Sequence, residues 1–353
     1  MKPVYLAGRG LACTLGLDVQ ASLTALRSGD DVTSFDSLPD ELSARLPYRA
    51  IANTQRDWNE RARELIQRVA LEAGAQRARS GALFIATSSF DVGAANQGAA
   101  KMNYNVFADK IAAWLEWVGP VFVFSTACTS SLNALMAAHA LLRRGEVQNA
   151  LVLGMELSNQ LTLSGFSALQ LLSPSRSQPF GANRDGLVLG EAVAALRLST
   201  CETGLWQMLG GANVVDGKQP TGASASAVVN MYQGALTHCG LTADAIDLIK
   251  VQAAGSPGND AIEAQGLRDM FQVLPPLVSL KSVIGHTMGA SGAAEIALLT
   301  ACLEQGLWPT SPDAVDENLG VSLAAHVPDL VRHVMATILG FGGGHATVVL
   351  ARE

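Results

Sequence analysis

Three segments combine reactive side chains with the small residues needed to expose them. The first is Ser125-Thr126-Ala127-Cys128-Thr129-Ser130-Ser131, which follows the apolar run Val121 to Phe124 and leads into a long alanine-rich stretch. This reads as strand, tight turn and helix, with Cys128 at the helix N-terminus. Unpaired backbone N–H groups and the positive end of the helix dipole face that position. It favours a thiolate and predicts a lowered thiol pKa, which a cysteine nucleophile requires. The alternative is a small buried hydrophobe, the ordinary fate of an isolated cysteine. The second segment runs from Lys281 through Gly285-His286-Thr287 to Gly292, and Glu295 follows inside the next alanine-rich stretch. Of the six histidines, only His286 lies in a glycine-rich turn directly before a helix. The third segment is Gly340-Phe341-Gly342-Gly343-Gly344, just before the last apolar run. Such a run lets backbone N–H groups approach a developing oxyanion. The chain has no G-x-x-x-x-G-K-[ST], so this is not a nucleotide loop.

The elements that must carry these segments alternate in type. Val4 to Ala7 predicts a first strand, Gly8 to Gly16 a glycine turn, and Val19 to Leu26 a helix. A second helix is expected from about Asn59 to Ala73, with Leu65, Val69 and Leu71 on one side and Arg61, Arg63 and Arg68 elsewhere. The continuous apolar runs Gly81 to Thr87, Val121 to Phe124 and Ala150 to Leu153 read as strands buried on both faces. Strands alternating with helices predict an α/β protein with a mostly parallel sheet.

An internal repeat organises the chain. One helix starts at Ser130 and ends at Gly145; another starts at Ser291 and ends at Gly306. Both open in a small-residue turn and close on glycine, which tolerates a left-handed cap. Gly190 to Leu196 also matches Gly344 to Leu350 in pattern. We therefore expect a duplicated fold, residues 1–200 carrying the cysteine and residues 201–353 carrying the histidine and the glycine loop. Duplication brings the His286 turn opposite the Cys128 turn.

Composition excludes several classes. The chain has 353 residues, 49% hydrophobic and 16% charged, which is too apolar for a disordered protein. No apolar run reaches the roughly 18 residues of a spanning helix. Arg9 interrupts the first apolar stretch, so the N-terminus reads as a strand and not a signal peptide. A net charge of −7 argues against nucleic acid or an anionic membrane as partner. Five scattered cysteines without C-x-x-C spacing argue against disulfides or a metal site and predict a reducing cytoplasm.

Together these segments resemble the β-ketoacyl-acyl-carrier-protein synthases of the thiolase superfamily. The family's T-A-C-x-x-S is matched by Thr126 to Ser131, its K-S-x-x-G-H-x-x-G-A-x-G by Lys281 to Gly292, and its G-F-G-G by Gly340 to Gly343. R-D-G-x-V-x-G-E stands at Arg184 to Glu191, and Gly8-x-Gly10 with Leu15-Gly16 resembles the family's opening turn. The resemblance covers nearly the whole chain. It implies a thiolase-like duplicated five-layer α-β-α-β-α sandwich, dimeric with itself or with a related ketosynthase. It implies acyl chains of fatty acid, polyketide or polyene biosynthesis, carried on the phosphopantetheine arm of an acyl-carrier protein, and no bound cofactor. By resemblance, Cys128 takes the acyl group as a thioester, and the Cys128 and Phe341 amides form the oxyanion hole. The Phe341 ring gates the acyl pocket beside Gly342 and Gly343, and Ser256 replaces a threonine that contacts the pantetheine arm. His286 stabilises the enolate formed when a malonyl unit loses carbon dioxide, and Lys281 and Glu295 hold the site in shape. Arg61, Arg63 and Arg68 are candidates for docking the carrier, with Arg143 and Arg144 as a second choice; the alternative is a solvated helix face.

One departure bears on mechanism. Where the family has E-A-H-G-T-G-T-x-x-x-D, this chain has Gln252-Ala253-Ala254-Gly255-Ser256-Pro257-Gly258-Asn259-Asp260. Ala254 occupies the histidine position, and the loop is shorter before Asp260 and Glu263 resume the pattern. Loss of one preorganised donor costs roughly 3–4 kcal/mol, or about 10²–10³ in rate. His345 stands where the family has asparagine; it either turns inward as a replacement imidazole or has a structural role. The stretch from Ser88 to Thr126 is also shorter than in the family, which bears on the dimer contact and the depth of the acyl pocket. Three readings follow: a condensing synthase with impaired decarboxylation, a non-condensing partner similar to a chain-length factor, and an acyltransferase that does not decarboxylate.

Overall fold

A computed structural model describes residues 2–29, 34–37, 45–52, 55, 57–95, 98, 103–217, 221–309 and 313–353. Ten strands form one large sheet: β1 (Tyr5–Cys13), β2 (Ala82–Ala86), β3 (Val121–Phe124), β4 (Asn149–Glu156), β5 (Ala192–Ser199), β6 (Trp206–Val215), β7 (Leu248–Lys250), β8 (Leu277–Val278), β9 (His333–Leu339) and β10 (Gly344–Arg352). The main helices are α1 (Val19–Ser28), α2 (Trp58–Glu72), α3 (Tyr104–Trp114), α4 (Ser130–Arg144), α5 (Gln160–Ala168), α6 (Ala225–Cys239), α7 (Pro257–Met270) and α8 (Ser291–Glu304).

Across the sheet the order is β3-β2-β4-β5-β1 and then β6-β10-β9-β7-β8. In the first group β2 is parallel to β3 and β4, while β5 is antiparallel to β4 and β1. The second group repeats this, with β7 parallel to β8 and β9, and β10 antiparallel to β9 and β6. The chain order β1-α2-β2-α3-β3-α4-β4-β5 recurs as β6-α6-β7-α7-β8-α8-β9-β10. The groups meet at the pair Tyr5↔Gln207, where Met208 N also donates to the Val4 carbonyl at 2.8 Å. Each group is mixed, and not mostly parallel as the alternation of elements suggested. Parallel pairs need a crossover helix, and none intervenes between β9 and β10, which turn back directly through the glycine loop.

Side-chain alternation sets the layers. Ala82, Phe84 and Ala86 of β2 face a central core shared with α4 and α8, while Leu83 and Ile85 face an outer core with α2 and α3. On the other side Val334 and Ala336 of β9 face the centre, and Met335 faces a third core with α6 and α7. The result is helix, sheet, helix, sheet, helix. The central layer is the driest: every residue of α8 except Glu304 is buried. Such a helix is apolar all round because it packs on both sides. Alanines 82, 86, 192 and 194 on the inward face of the first sheet let it approach closely.

Two expectations are corrected. Gly8 and Gly10 lie inside β1, not in a turn. A Cβ at Gly10 would sit 2.1 Å from the Val69 carbonyl oxygen, and one at Gly8 2.1 Å from that of Ala73. These glycines admit the backbone of α2 against the strand. Leu71 is 69% exposed and does not share the face of Leu65 and Val69. Among the described residues, no helix is long and apolar enough to cross a membrane.

Gly10→Ala is expected to lower the unfolding free energy by about 1–3 kcal/mol, as overpacking does. Gly165→Ala, in α5 with nothing near its Cβ position, is expected to hold or raise it. Urea denaturation of both proteins measures the difference, and equal midpoints would refute the close-approach explanation.

Candidate active site

The two central helices bring their leading ends together. β3 ends at Phe124, and Cys128 lies just ahead of α4, whose N-cap is Thr129. Ala127 adopts φ +50°, a left-handed conformation rare for a residue with a side chain. The bend is held locally: Ser130 Oγ accepts from Thr126 N at 3.0 Å and donates to the Ala127 carbonyl at 2.6 Å. Ahead of α8, His286 N donates to the Val188 carbonyl at 2.7 Å, and Gly190 N donates to the His286 carbonyl at 3.0 Å. The Arg184 to Glu191 segment is thereby laced to the histidine turn. Cys128 Sγ and His286 Nε2 lie 3.0 Å apart. His286 Nδ1 faces Ser291 Oγ, the first residue of α8, at 3.3 Å.

Burial governs the electrostatics. Cys128 is 5% exposed, and burial pushes its thiol up to about 11. The Lys281 ammonium and the Phe341 and Cys128 amides pull down, Glu156 pushes up, and their sum does not overcome burial. The lowered pKa expected from the helix terminus is therefore not found in this state. Desolvation outweighs the dipole, because the thiolate has lost its water. Burial, then Lys281 and Lys250, holds His286 well below the usual imidazole range, so the ring is neutral at neutral pH. A thiol beside a neutral imidazole can pass its proton to that imidazole once a substrate contributes opposing charge.

Behind the pair lies a buried ionic cluster. Lys281 Nζ donates to Glu295 Oε1, and Lys250 Nζ donates to Glu295 Oε2 at 2.6 Å and to the Thr337 carbonyl at 2.6 Å. All three side chains are at most 1% exposed. Lys250 escaped the sequence reading. Its signal was a lone charge in phase with Leu248 on an otherwise apolar strand. Glu156, at the end of β4, escaped as well. It accepts from Ser88 N at 2.9 Å, Ser89 N at 3.0 Å and Gly289 N at 3.0 Å, tying the histidine turn to the first half.

The glycine loop lies across from this pair. Gly342 and Gly343 take φ +78° and +75°, open to glycine at no steric cost. Phe341 stacks on Phe166 of α5 with ring centroids 5.4 Å apart. Ser256 is half-buried at the N-cap of α7 and makes no capping hydrogen bond there. Ala254 is 4% exposed and packs in a small apolar cluster with Tyr48, Leu187, Leu189 and Met288. Its methyl therefore packs against the aliphatic side chains of Leu187, Leu189 and Met288 and against Tyr48. Asp260 and Glu263 hold the shortened segment by accepting from the amides of Gln252, Ala253, Ala254 and Gly255 at 2.7–3.2 Å.

His345 and Arg61 both point away from the sites for which the sequence singled them out. On β10, Ala346 and Val348 face the central core that contains Cys128, and Val349 faces the outer core. His345 shares the phase of Val349, and its Nε2 lies 3.8 Å from Asp216 Oδ2. Its ring therefore lies on the face of β10 turned away from the core that contains Cys128. Arg61, expected among exposed docking residues, reaches inward to Glu191 at 2.6 and 2.7 Å. Arg63 and Arg68 remain about half exposed but pair with Glu60 and Asp18, and Arg144 is exposed and pairs with Glu146.

The raised thiol pKa makes a direct prediction for the free protein. Alkylation of Cys128 by iodoacetamide, followed by peptide mass mapping, is expected to be slow at pH 7 and to rise through pH 10. The exposed Cys201 serves as an internal reference. A rate that levels off below pH 8 would contradict burial as the dominant influence.

The comparisons with known proteins agree with one another. The family description "Beta-ketoacyl synthase, N-terminal domain" matches residues 21–203, and "Beta-ketoacyl synthase, C-terminal domain" matches residues 208–314. The chain is 30% identical over 260 residues to "Putative polyketide beta-ketoacyl synthase 1" of Streptomyces cyaneus, covering 66% of this chain and 60% of that protein. It is 30% identical over 274 residues to the chloroplastic "3-oxoacyl-[acyl-carrier-protein] synthase II" of Arabidopsis thaliana, covering 70% of this chain and 50% of that protein. The alignments thus span about half to three-fifths of these curated relatives. Among solved structures, a ketosynthase in complex with its chain length factor from Xenorhabdus doucetiae superposes with a TM-score of 0.85 at 24% identity, covering 100% of this chain and 98% of that one. The ishigamide ketosynthase/chain length factor gives 0.87 at 21% identity, covering 100% and 99%. At these identities the structural likeness concerns the fold, which is the thiolase-like α-β-α-β-α sandwich. With family descriptions matching both halves, across most of its length, the chain belongs to the β-ketoacyl synthase family.

Proposed function

We propose that this protein is an acyl-loading enzyme of the ketosynthase type whose decarboxylating step is impaired. The observation that carries the reading is the 3.0 Å contact between Cys128 Sγ and His286 Nε2. In the loading step, the sulfur attacks the thioester carbonyl of an acyl chain on the phosphopantetheine arm of an acyl-carrier protein. Its proton passes to His286, and the carbonyl oxygen takes the negative charge between the Cys128 and Phe341 amides. The intermediate collapses, the carbon–sulfur bond to pantetheine breaks, and the departing thiolate regains the proton from His286. Cys128 then holds the acyl group as a thioester. The pantetheine arm is substrate in this scheme, and no resident cofactor takes part.

Condensation would next require a malonyl unit to lose carbon dioxide and leave an enolate oxygen between two donors. His286 supplies one. At 254 the methyl of alanine lies among apolar side chains and supplies none. The loss is worth roughly 3–4 kcal/mol, or about 10²–10³ in rate. Loading needs only the nucleophile, His286 as its base and the amides, so it survives where decarboxylation fails. The same apolar filling favours a second reading, a non-condensing partner of an active ketosynthase. The exposed edge supports association with another subunit in either case. Phe122 of the edge strand β3 is 40% exposed, and Tyr104 and Val106 of α3 are 59% and 55% exposed. The five free thiols suit a reducing cytoplasm.

Two measurements test this. Incubated with an acyl-loaded carrier protein, the protein is expected to gain one acyl mass on Cys128, and Cys128→Ala is expected to gain none. Carbon dioxide release from malonyl carrier is expected to lie about 10²–10³ below that of a synthase with both imidazoles. Loading without release supports the reading; no adduct would instead leave the non-condensing partner. In addition, Ala254→His alone is expected to destabilise the fold by about 1–3 kcal/mol without restoring decarboxylation, because the cluster has no room. Restored release in that single variant would overturn the packing argument.

A further inference from the structure

The site contains a second buried lysine that the loading mechanism does not use. Lys250 lies at the end of β7, in phase with Leu248, which faces the central core; the alternate residues Ile249 and Val251 face the outer one. Its ammonium is therefore directed into the helix layer. There it takes one oxygen of Glu295, while Lys281 takes the other. We propose that Lys250 is a positioning residue for the thiol–imidazole pair, occupying half of the Glu295 carboxylate so that the Lys281 charge stays uncancelled at Cys128. This rests on the proposed role of Cys128 as the acyl carrier.

The charge count gives the inference its content. Two ammonium groups against one carboxylate leave one net positive charge in a dry interior. Without Lys250, Glu295 and Lys281 would form a neutral pair, and the pull of Lys281 on the sulfur would be offset by an equal negative charge beside it. The other charged or titratable groups coupled to Lys250 are Lys281, Glu263 on α7, which burial raises to about 7, and His286, which the Lys250 charge pushes further down. Facing the sulfur are His286, Lys281 and the buried Glu156. Among the described residues neither Glu263 nor Glu156 hydrogen-bonds to a lysine; Glu263 accepts from two backbone amides, and Glu156 from amides and serine hydroxyls. Among the described residues Glu295 is the acid that Lys250 shares with Lys281, and Lys250 also acts directly on His286 by its charge. Where Ala254 gives no contact donor, a charge held further back acts through its field.

Burial lowers Lys250 to about 8, against the pull of Glu295. Its charge is present below that pH and lost above it. The sign of the effect on the thiol follows: a positive charge favours the thiolate, so its removal slows alkylation where Lys250 is charged and matters less where it is already neutral.

Alkylation of Cys128 by iodoacetamide from pH 6 to pH 10, in otherwise unmodified protein, tests this without acyl carrier. Lys250→Met is expected to slow the reaction roughly three- to tenfold at pH 7 and to converge with wild type above pH 9. Glu295→Gln is expected to stay close to wild type at pH 7, because Lys250 deprived of its carboxylate gives up its proton and Lys281 alone keeps the charge. The double variant Lys250→Met/Glu295→Gln, which again carries one net positive charge, is expected to return close to wild type. A purely structural lysine predicts instead that the double variant is at least as impaired as Lys250→Met and that the ratio does not vary with pH. Either result would overturn the proposal. If Lys250→Met does not fold, Lys250→Gln takes its place, with the same expected slowing at pH 7 and the same return toward wild type when Glu295→Gln is added. Failure of acyl loading with this alkylation pattern intact would count against the role of Cys128 and leave the electrostatic assignment standing.

Discussion

The structure depends on one contact across the duplication. Cys128 and His286 sit on turns 158 residues apart in sequence and meet at 3.0 Å. For that to happen, α4 and α8 must lie side by side between two sheets with their N-termini at the same end. Each sheet must therefore present a face smooth enough to receive both helices, which explains the alanines on the inward face of the first sheet. The glycines of β1 do the same for the outer layer by letting α2 rest on the strand. The reactive pair is thus a consequence of close packing in every layer.

Close packing also sets the chemistry. Removing water from the sulfur raises its pKa more than the nearby amides and Lys281 lower it, so Cys128 rests as a thiol. The same dryness holds His286 neutral and makes the Lys250–Glu295–Lys281 cluster act over distance, since charges are weakly screened there. A buried acid between two bases is tolerated because both its oxygens are taken by ammonium groups and Lys250 also reaches the Thr337 carbonyl. Breaking one partner of such a group is costly, which locks the turn that carries His286 to the helix that carries Glu295.

Much of this was legible in residue order. The helices at Ser130 and Ser291 announce themselves by small residues before an apolar-periodic run and glycine after it, and both begin where expected. Cys128, His286, Lys281 and Glu295 were singled out by local context. Three things were not legible, each for a tertiary reason. Gly8 and Gly10 look like a turn until the α2 backbone is placed over them. Arg61 looks like a surface charge, because its partner Glu191 is 130 residues away. The thiol pKa was read from a local dipole, whereas it is set by the depth of burial, which only the assembled layers determine. Lys250 stood in plain view as a charge inside an apolar strand, and a charge so placed calls for a buried partner.

The apolar cluster around Ala254 separates two demands that an intact site meets together. Loading an acyl group requires a sulfur, a base within reach of its proton, and amides for one oxyanion. Decarboxylation adds a second oxyanion at a different carbonyl and needs its own pair of donors. Replacing one donor by a methyl packed against Met288, Leu187 and Leu189 leaves the first set of contacts untouched and removes half of the second. Asp260 and Glu263 clamp the backbone of the shortened segment through its amides, so it is a well-held piece of structure. A site that had simply decayed would be expected to lose its clamps along with its donor. Here the amide clamps and the thiol–imidazole contact stand together with a methyl at 254, and the proposed split between loading and decarboxylation rests on that combination.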